Sequence, residues 1–245
     1  MLSCEDVSYS YLDRFPALDE VSLDVLPGQR LALLGANGCG KTTLLKVLAG
    51  LVFPTTGTVS AFGRPLTEDA LADAGLNAAF RARVGLCFQN PDVQVFSPTV
   101  REEVAFGPLQ LGLPTDEALA RTTQVLELLG VADLADRTPM QLSGGQKKKV
   151  AIASVLATNP EVLLFDEPTA ALDPRSRLWL EDLLATLAAS GTAIVSATHD
   201  LDRLTHVADR AVVLAEDHRV LADAPTTEIL ADHDLLVTAN LVAPG

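Results

Sequence analysis

The sequence predicts an α/β fold built on a buried parallel sheet. Short runs of strand character alternate along the 245 residues with stretches of helical character, which is the pattern of strand–helix–strand units. Three of the strand runs are continuously apolar, as expected of strands that are covered on both faces. They are RLALLG (30–35), VLLFD (162–166) and TAIVSAT (192–198). A chain of this length is sufficient to bury such a sheet.

Local signals predict the elements between these strands. VSLDVLPGQ (21–29) alternates apolar and polar residues and predicts an antiparallel strand near the start of the chain. A glycine-rich turn follows the first apolar strand, and KTTLLKVLAGL predicts a helix that ends near Gly50. Helical segments dominate residues 91–160, so we expect a helical insertion into the α/β core. Asp173 and Pro174 predict the N-cap and first position of a later helix.

Composition and charge argue against several classes of protein. The formal net charge is -14, whereas free-standing binding to nucleic acid or to anionic lipid requires basic patches. No apolar run reaches the roughly 18–20 residues that cross a bilayer, and the acidic N-terminus does not match a signal peptide. The cysteines Cys4, Cys39 and Cys87 show no metal-ligand spacing. We therefore expect an intracellular protein with reduced thiols that binds no nucleic acid.

The segment GANGCGKT (35–42) matches G-x-x-x-x-G-K-[ST] between a predicted strand and a predicted helix. Its glycines allow a tight turn in which successive N–H groups point at one anion, and the helix N-terminus adds its positive dipole end. We expect Lys41 to reach the β- and γ-phosphates of a nucleotide and Thr42 to offer its hydroxyl to Mg²⁺. The alternative is a glycine-rich turn with an unrelated lysine.

Two acids, Asp166 and Glu167, end the apolar strand VLLFDE. A carboxylate at the C-terminal edge of a parallel strand lies where ligands collect, beside the phosphate loop. We therefore expect Asp166 to hold Mg²⁺, directly or through water, and Glu167 to orient and deprotonate the attacking water. Without the phosphate loop, the same pair would be interpreted as solvated acids at a strand end.

LSGGQ (142–146) precedes a predicted helix that begins with three lysines. Ser143 and Gln146 have the spacing of a capping box, so a capped helix is one interpretation. The other is a second anion site, made by the Ser143 hydroxyl and the free N–H groups of the helix start. The lysines at 147–149 are the densest positive run in an acidic chain. They form either a solvated face or an addition to the positive field at that helix start.

Six motifs in a fixed order make the sequence resemble the nucleotide-binding subunit of an ABC transporter over essentially its full length. GANGCGKT resembles the Walker A motif, VLLFDE the Walker B motif and LSGGQ the family signature. Gln89 is similar in place to the Q-loop glutamine, AALD (170–173) to the D-loop, and His199 to the switch histidine. Tyr11 stands where the family has the aromatic residue that stacks on adenine, and Phe15 is the less favoured substitute.

The resemblance implies the fold and its division. The family has a P-loop NTPase fold of the ABC-ATPase type, with a RecA-like core, an antiparallel β subdomain and an inserted helical subdomain. Residues 1–245 would form a single ATPase domain. Within it, residues 1–90 and 161–245 would form the RecA-like core with the antiparallel β subdomain. Residues 91–160 would form the helical subdomain that carries the signature.

The resemblance also implies the site and its cofactors, ATP and Mg²⁺. In the family two subunits meet head to tail, and each ATP lies between the phosphate loop of one chain and the signature of the other. The implied ATP contacts in one chain are Tyr11, Gly35, Ala36, Asn37, Gly38, Cys39, Gly40, Lys41, Thr42 and Thr43, and those in trans are Ser143, Gly144, Gly145, Gln146 and Asp173. The implied Mg²⁺ ligands are Thr42, Gln89 and Asp166, and the implied catalytic residues are Glu167, His199 and Gln89. All half-site elements occur in this chain, which favours a homodimer.

Two stretches resemble the ATPases of energy-coupling-factor (ECF) importers, namely FQNPDVQVFSPTVREEVAFGPLQLGL (88–113) and LSGGQKKKVAIASVLA (142–157). The FSPTV variant favours the cobalt/nickel branch. The resemblance implies a peripheral protein on the cytoplasmic face of the cell membrane. The transmembrane coupling component would bind through Asn90–Glu103, where Asp92, Glu102 and Glu103 are candidate contacts, and a substrate-binding membrane component would associate indirectly.

Other functions remain open alternatives. The same ATPase role in a vitamin importer of the ECF type, such as one for biotin, is the nearest. A soluble ABC ATPase that acts on DNA or ribosomes is disfavoured, because such proteins usually carry two cassettes or a long coiled coil. A regulatory nucleotide-binding module without turnover is disfavoured by the presence of Glu167, Gln89 and His199 in one chain.

Overall fold

A computed structural model describes residues 1–170 and 172–243. Its strands are β1 (Leu2–Tyr11), β2 (Phe15–Val25), β3 (Arg30–Leu34), β4 (Thr56–Ala61), β5 (Arg64–Pro65), β6 (Val84–Cys87), β7 (Val162–Asp166), β8 (Ala193–Ala197), β9 (Arg210–Leu214) and β10 (Val220–Pro225). Its α-helices are α1 (Lys41–Leu48), α2 (Glu68–Ala72), α3 (Ala74–Arg83), α4 (Val100–Gln110), α5 (Thr115–Leu128), α6 (Gly144–Leu156), α7 (Pro174–Ala189), α8 (Leu204–Val207), α9 (Thr226–Ala231) and α10 (His233–Thr238). Short 3₁₀ turns lie at Pro91–Val93, Ala132–Leu134 and Pro139–Gln141.

The central sheet has six strands in the order β10-β9-β3-β8-β7-β6. All its neighbours are parallel except β10, which pairs antiparallel with β9 at the edge. The three apolar runs of the sequence are β3, β7 and β8, so the predicted buried parallel strands are confirmed. Leu33 and Val195 pack on one face of this sheet with α1 and the second sheet, and Phe165 and Ile194 pack on the other face with α6 and α7.

The second sheet is antiparallel and has the order β2-β1-β4-β5. The predicted antiparallel strand near the start of the chain (21–29) is confirmed for residues 21–25, which form the end of β2. β1 and β2 form a hairpin in which Tyr11 pairs with Phe15 at the turn. The hairpin therefore brings both aromatic candidates for adenine stacking to one end of the sheet.

The helices between β6 and β7 leave the central sheet and return to its next strand. Val84 in β6 pairs with Val162 in β7, so these two strands are direct neighbours in the sheet. The long stretch of chain between them lies outside the sheet. α4, α5 and α6 lie in this stretch, which confirms the predicted helical character of residues 91–160; its status as a separate subdomain stays a prediction. Among the described residues, no helix combines the length and the apolar character that a bilayer crossing requires.

Helix boundaries follow the local signals closely. α7 begins at Pro174 with Asp173 as its N-cap, as predicted. α1 ends at Leu48, and Gly50 follows with φ +57°, the left-handed conformation that commonly closes a helix. α6 begins at Gly144 with Ser143 as its N-cap.

Candidate functional site

The glycine-rich turn between β3 and α1 requires glycine at two positions. Gly35 has φ +143° and Gly40 has φ +113°, conformations that other residues rarely adopt. A Cβ atom on Gly35 would lie 2.5 Å from the carbonyl oxygen of Leu214, and one on Gly40 would lie 2.2 Å from that of Ala17. The turn therefore packs closely against the backbone of Leu214 and Ala17. Its amide groups lie just before the N-terminus of α1, which is the positive end of the helix dipole.

Lys41 lies across this turn and is only 7% exposed. Its Nζ donates to the carbonyl oxygen of Gly35 at 2.6 Å and to that of Ala36 at 2.9 Å. Nζ also lies 3.9 Å from Cys39 Sγ. This buried ammonium is held by neutral carbonyls and has no negative partner in the part of the chain that the structure describes, so the centre of the turn is suited to an anion.

Thr42 and Asp166 bring two oxygen ligands together at the C-terminal edge of β7. The Thr42 hydroxyl donates to Asp166 Oδ2 at 2.9 Å. Adjacent ligands of an octahedral Mg²⁺ at its usual 2.0–2.1 Å lie about 2.9 Å apart. The two oxygens therefore have the spacing that Mg²⁺ needs, and Gln89 lines the same cavity.

Glu167 is buried next to Asp166 and is held by the neighbouring strand. Its backbone adopts φ +48°, an uncommon conformation for a residue other than glycine, and its N–H donates to the carbonyl of Ala197 at 2.9 Å. His199 Nδ1 lies 2.7 Å from Glu167 Oε1. Since the carboxylate accepts, Nδ1 carries the proton, and the bond fixes the direction of the carboxylate.

These groups surround one cavity of about 460 Å³. It is lined by Tyr11, Phe15, Pro16, Ala17, Asn37, Gly38, Gly40, Lys41, Thr42, Thr43, Gln89, Asp166, Glu167 and His199. The Tyr11 and Thr43 hydroxyls lie 3.2 Å apart, so the tyrosine ring is fixed beside the start of α1. Phe15 lies on the same rim and is 54% exposed. The aromatic, cationic and acidic groups predicted for one chain are therefore brought together.

The residues predicted to act in trans lie elsewhere. Ser143 and Gln146 form a capping box, in which Ser143 N donates to Gln146 Oε1 at 3.0 Å and Gln146 N donates to Ser143 Oγ at 3.4 Å. None of residues 143–146 lines the cavity of its own chain. Asp173 caps α7, and bonds from Ser176 lower the pKa of its carboxyl group. Ala171, in the predicted D-loop, falls outside the described residues.

All three lysines of α6 contact other groups of the protein. They therefore match neither predicted interpretation, the solvated face or the addition to the positive field at the helix start. Lys147 forms an ion pair with Asp92 at 2.6 Å. Lys148 is 4% exposed, lies four residues before the buried Ile152, and donates to the carbonyl of Gln89 at 3.3 Å. Burial lowers the pKa of Lys148, against the opposing effect of nearby acids. Lys149 Nζ lies 4.3 Å from the Trp179 ring centroid. The run ties α6 to the segment after β6 and to α7.

The role of Lys148 was missed at the sequence level. Its spacing from Ile152 places it on the buried face of α6, and that spacing was the available signal. A lysine on such a face requires a partner inside the protein.

The three acids proposed as partner contacts all have internal hydrogen bonds or ion pairs, and for Glu103 the expectation is corrected because its side chain is buried. Glu103 is 3% exposed and accepts hydrogen bonds from the N–H groups of Phe96 and Ser97. Glu102 completes the capping box of α4. Asp92 binds a lysine of α6. Asp92 and Glu102 remain exposed and stay predicted contacts. The same segment also exposes two apolar side chains, Val93 at 70% and Phe96 at 68%.

Comparisons with known proteins give the family of the chain. A family model described as ABC transporter matches residues 18–170. The nickel import ATP-binding protein NikO of Rhodobacter capsulatus is 50% identical over 233 residues, covering 94% of this chain and 91% of that protein. The energy-coupling factor transporter ATP-binding protein EcfA of Methanothermobacter thermautotrophicus is 41% identical over 246 residues, covering 100% of this chain and 77% of that protein.

Solved structures give the same result for the fold. CbiO1 of Clostridium perfringens, described as part of the ABC transporter complex CbiONQ, has a TM-score of 0.83 and 35% identity and covers 99% of this chain and 95% of its own. A dimeric ATP-binding cassette with bound ADP and phosphate has a TM-score of 0.82 and 28% identity, covering 92% and 99%. The phosphate-loop cavity and these matches together show that the chain is an ATPase of the ABC transporter family.

Proposed function

We propose that the chain is the ATP-hydrolysing subunit of an ECF-type importer for nickel or cobalt ions. The observation that carries the ATPase part is the single cavity that collects a glycine turn, a buried lysine and two strand-end acids. The relatives named as nickel import and energy-coupling-factor ATPases support the transport part.

In the proposed site, ATP lies along the cavity from the hairpin turn to the end of β7. Tyr11 stacks on the adenine, with Phe15 at the rim. The amides of residues 35–43 and Lys41 bind the phosphates. When ATP binds, Lys41 replaces its hydrogen bonds to two neutral carbonyls with hydrogen bonds to charged phosphate oxygens. Hydrogen bonds between two charged groups are stronger. Thr42, Asp166 and Gln89 supply oxygen ligands for Mg²⁺, which when bound neutralises charge on the β- and γ-phosphates.

Glu167 is the proposed general base. Its burial and its bond to His199 hold the carboxylate in one direction, so it is positioned to orient a water and take its proton. His199 contributes in two ways. Its Nδ1 positions the base, and because His199 lines the cavity, its other ring nitrogen is proposed to contact the γ-phosphate.

The second half of each site is proposed to come from another copy of the chain. Residues 143–146 do not line the cavity of their own chain, yet α6 presents a helix start with amides that have no carbonyl partner within the helix. Neutral donors of this kind stabilise the charge that spreads over the γ-phosphate in the transition state. Ser143, Gly144, Gly145 and Gln146 would bind it in trans, with Asp173 beside the interface.

The transmembrane coupling component is proposed to bind at Asn90–Glu103. The supporting observations are the exposed side chains of Val93 and Phe96 in this segment and the exposed Phe106 in α4, whose ring lies 5.1 Å from that of Phe96. The same segment contacts α6 through Lys147 and Asp92. A partner that moves this segment would therefore move the signature helix, which links transport to ATP hydrolysis.

Purified protein tests the ATPase part. Wild-type protein is expected to hydrolyse ATP when Mg²⁺ is present and to stop when EDTA is added. Lys41→Ala is expected to lose ATP binding. A wild-type protein that binds ATP and never hydrolyses it would favour the regulatory module instead.

Uptake measurements test the cargo. Cells that lack their own nickel and cobalt importers would express the chain with the membrane proteins encoded beside it. Nickel or cobalt accumulation that depends on Lys41 supports metal import. Biotin or another vitamin accumulating under the same dependence would replace metal import with the vitamin alternative.

A further inference from the structure

The turn between β9 and β10 places a histidine against the outer side of the phosphate loop. His218 has φ +72°, a left-handed conformation, and its Nδ1 lies 3.2 Å from the carbonyl oxygen of Cys39. Because a carbonyl only accepts, Nδ1 carries the proton and donates. Glycine would adopt this backbone conformation with less strain. The histidine side chain instead supplies a bond to the loop that glycine cannot make.

This bond fixes one peptide group of the loop. The carbonyl of Cys39 and the N–H of Gly40 belong to the same planar trans peptide unit, so they point in opposite directions. Because the Cys39 carbonyl points towards His218, the Gly40 N–H points away from the β9–β10 turn. Gly40 itself lines the ATP cavity. A hydrogen bond to the carbonyl also polarises the amide and strengthens its N–H as a donor.

The turn that carries His218 is anchored to β2. The His218 carbonyl accepts from the N–H of Asp19 at 3.1 Å, and Arg219 Nε donates to Asp19 Oδ2 at 2.6 Å. β2 also meets the loop directly, since a Cβ on Gly40 would lie 2.2 Å from the Ala17 oxygen. His218 thus joins the loop to a strand held in a sheet.

We propose that His218 is a positioning residue for ATP, which holds the Cys39 carbonyl outwards and directs the Gly40 amide at the phosphates before the nucleotide binds. The inference rests on the proposed assignment of residues 35–43 to the triphosphate. Its consequence is preorganisation, because a loop already in its binding conformation loses less freedom on binding. His218 does not line the cavity, so its removal affects ATP affinity more than the turnover of bound ATP.

Two substitutions at His218 separate the bond from the fold. His218→Gly removes the donor and relieves the left-handed backbone. His218→Asn keeps an N–H the same number of bonds from Cβ as Nδ1 and tolerates the left-handed conformation. Asn159→Gly is the matched control, since Asn159 has φ +56° in the turn between α6 and β7, outside the cavity. The dissociation constant of Mg·ATP, KM, kcat and Tm are measured for each full-length variant.

His218→Gly is expected to weaken ATP binding by about three- to tenfold, the effect of losing one net hydrogen bond, with kcat changed less than KM and Tm equal to or above the wild-type value. His218→Asn is expected to stay within about twofold of wild type, and Asn159→Gly to leave ATP affinity unchanged. Wild-type affinity in His218→Gly, or equal losses in the Gly and Asn variants, overturns the role of His218. If Lys41→Ala binds ATP as well as wild type, the assignment of the loop fails and this role fails with it.

Discussion

The two halves of the ATP site differ in how much of their polar chemistry one chain satisfies by itself. On the phosphate-loop side, Lys41, Asp166 and Glu167 are each less than a tenth exposed, and each is hydrogen-bonded within the chain. On the signature side, Ser143 and Gln146 are bonded to each other at the protein surface. One half is therefore assembled on folding, whereas the other, in the proposed site, is completed only by a second copy of the chain.

In the proposed dimer this difference gives hydrolysis a means of control. Strand ends in a buried sheet hold the acids and the loop in fixed positions, so the proposed base and the proposed Mg²⁺ ligands need no rearrangement. The start of α6 is rigid as well, because the capping box fixes it, but it lies away from the cavity of its own chain. In the proposed dimer, activity would then depend on the distance between two rigid parts, which a transport cycle can change.

Glu167→Gln is expected to have the largest effect, because it removes the base and leaves the site intact. Turnover should fall by about 10²–10⁴-fold, the usual contribution of a general base, while ATP binding is retained. Single-turnover measurements and size-exclusion chromatography with ATP test this, and a closed dimer should accumulate. Glu181→Gln is a control, since Glu181 is a buried acid of α7 that pairs with Arg203 outside the cavity. Turnover near the wild-type rate in Glu167→Gln would remove the residue from its role.

Mixing two inactive variants tests whether the two halves come from different chains. Lys41→Ala damages the phosphate-loop half, and Ser143→Arg places a bulky cation at the start of α6. Each alone is expected to be inactive. Mixed dimers contain one site with both halves intact, so equal amounts should recover up to about a quarter of wild-type activity in a symmetric dimer. No recovery, with mixed dimers demonstrated by crosslinking, would place both halves of the site in one chain.

The exposed segment after β6 offers a comparison of two neighbouring acids. Glu103→Ala removes the buried carboxylate that accepts from the N–H groups of Phe96 and Ser97, so the free energy of unfolding should fall by about 1–3 kcal/mol. Glu102→Ala removes only an exposed capping interaction, and a loss of about 0.5–1 kcal/mol is expected. Urea unfolding of both variants measures the difference. Equal losses would show that Glu103 is not an internal acceptor for the segment.

The fold was largely predictable because its strongest signals are local. Three continuously apolar runs became three adjacent or near-adjacent strands of one sheet, and Asp173 and Ser143 cap the helices that follow them. The β9–β10 hairpin was not predicted. β9 carries a continuously apolar run, AVVLA (211–215), which was an unused signal, whereas β10 alternates without a long apolar stretch. Its contact with the phosphate loop joins residues far apart in the chain, which periodicity does not reveal.

Site residues were predictable from the sequence where a local motif allows only one chemical role. They were less predictable where the role depends on contacts with other elements. A lysine after a glycine turn and two acids at a strand end indicate phosphate and Mg²⁺ without any tertiary information. The lysines of α6 were open to two interpretations because their partners, Asp92 and Trp179, come from other elements. Glu103 was misassigned for the same reason: burial of a single acid is decided by packing, not by its neighbours in sequence.

Alkylation of Cys39 is expected to have the smallest effect of these tests, and it concerns only the phosphate-loop half of the site. A cysteine in a phosphate loop suggests sensitivity to thiol reagents, but Cys39 is only 2% exposed, and burial raises its pKa, an effect that Lys41 partly offsets. A raised pKa leaves less thiolate at neutral pH, and the thiolate is the reactive form.

Alkylation of the native protein at pH 7.5 should therefore be slow. Over the time in which an unfolded thiol reacts completely, ATPase activity should change by less than about twofold. Mass spectrometry after a timed iodoacetamide pulse measures it, with Cys87, whose pKa burial raises to about 12, as the internal control. Rapid modification of Cys39, with Cys87 unmodified, would mean that the loop opens to solvent and that this half of the site is less fixed than its hydrogen bonds indicate.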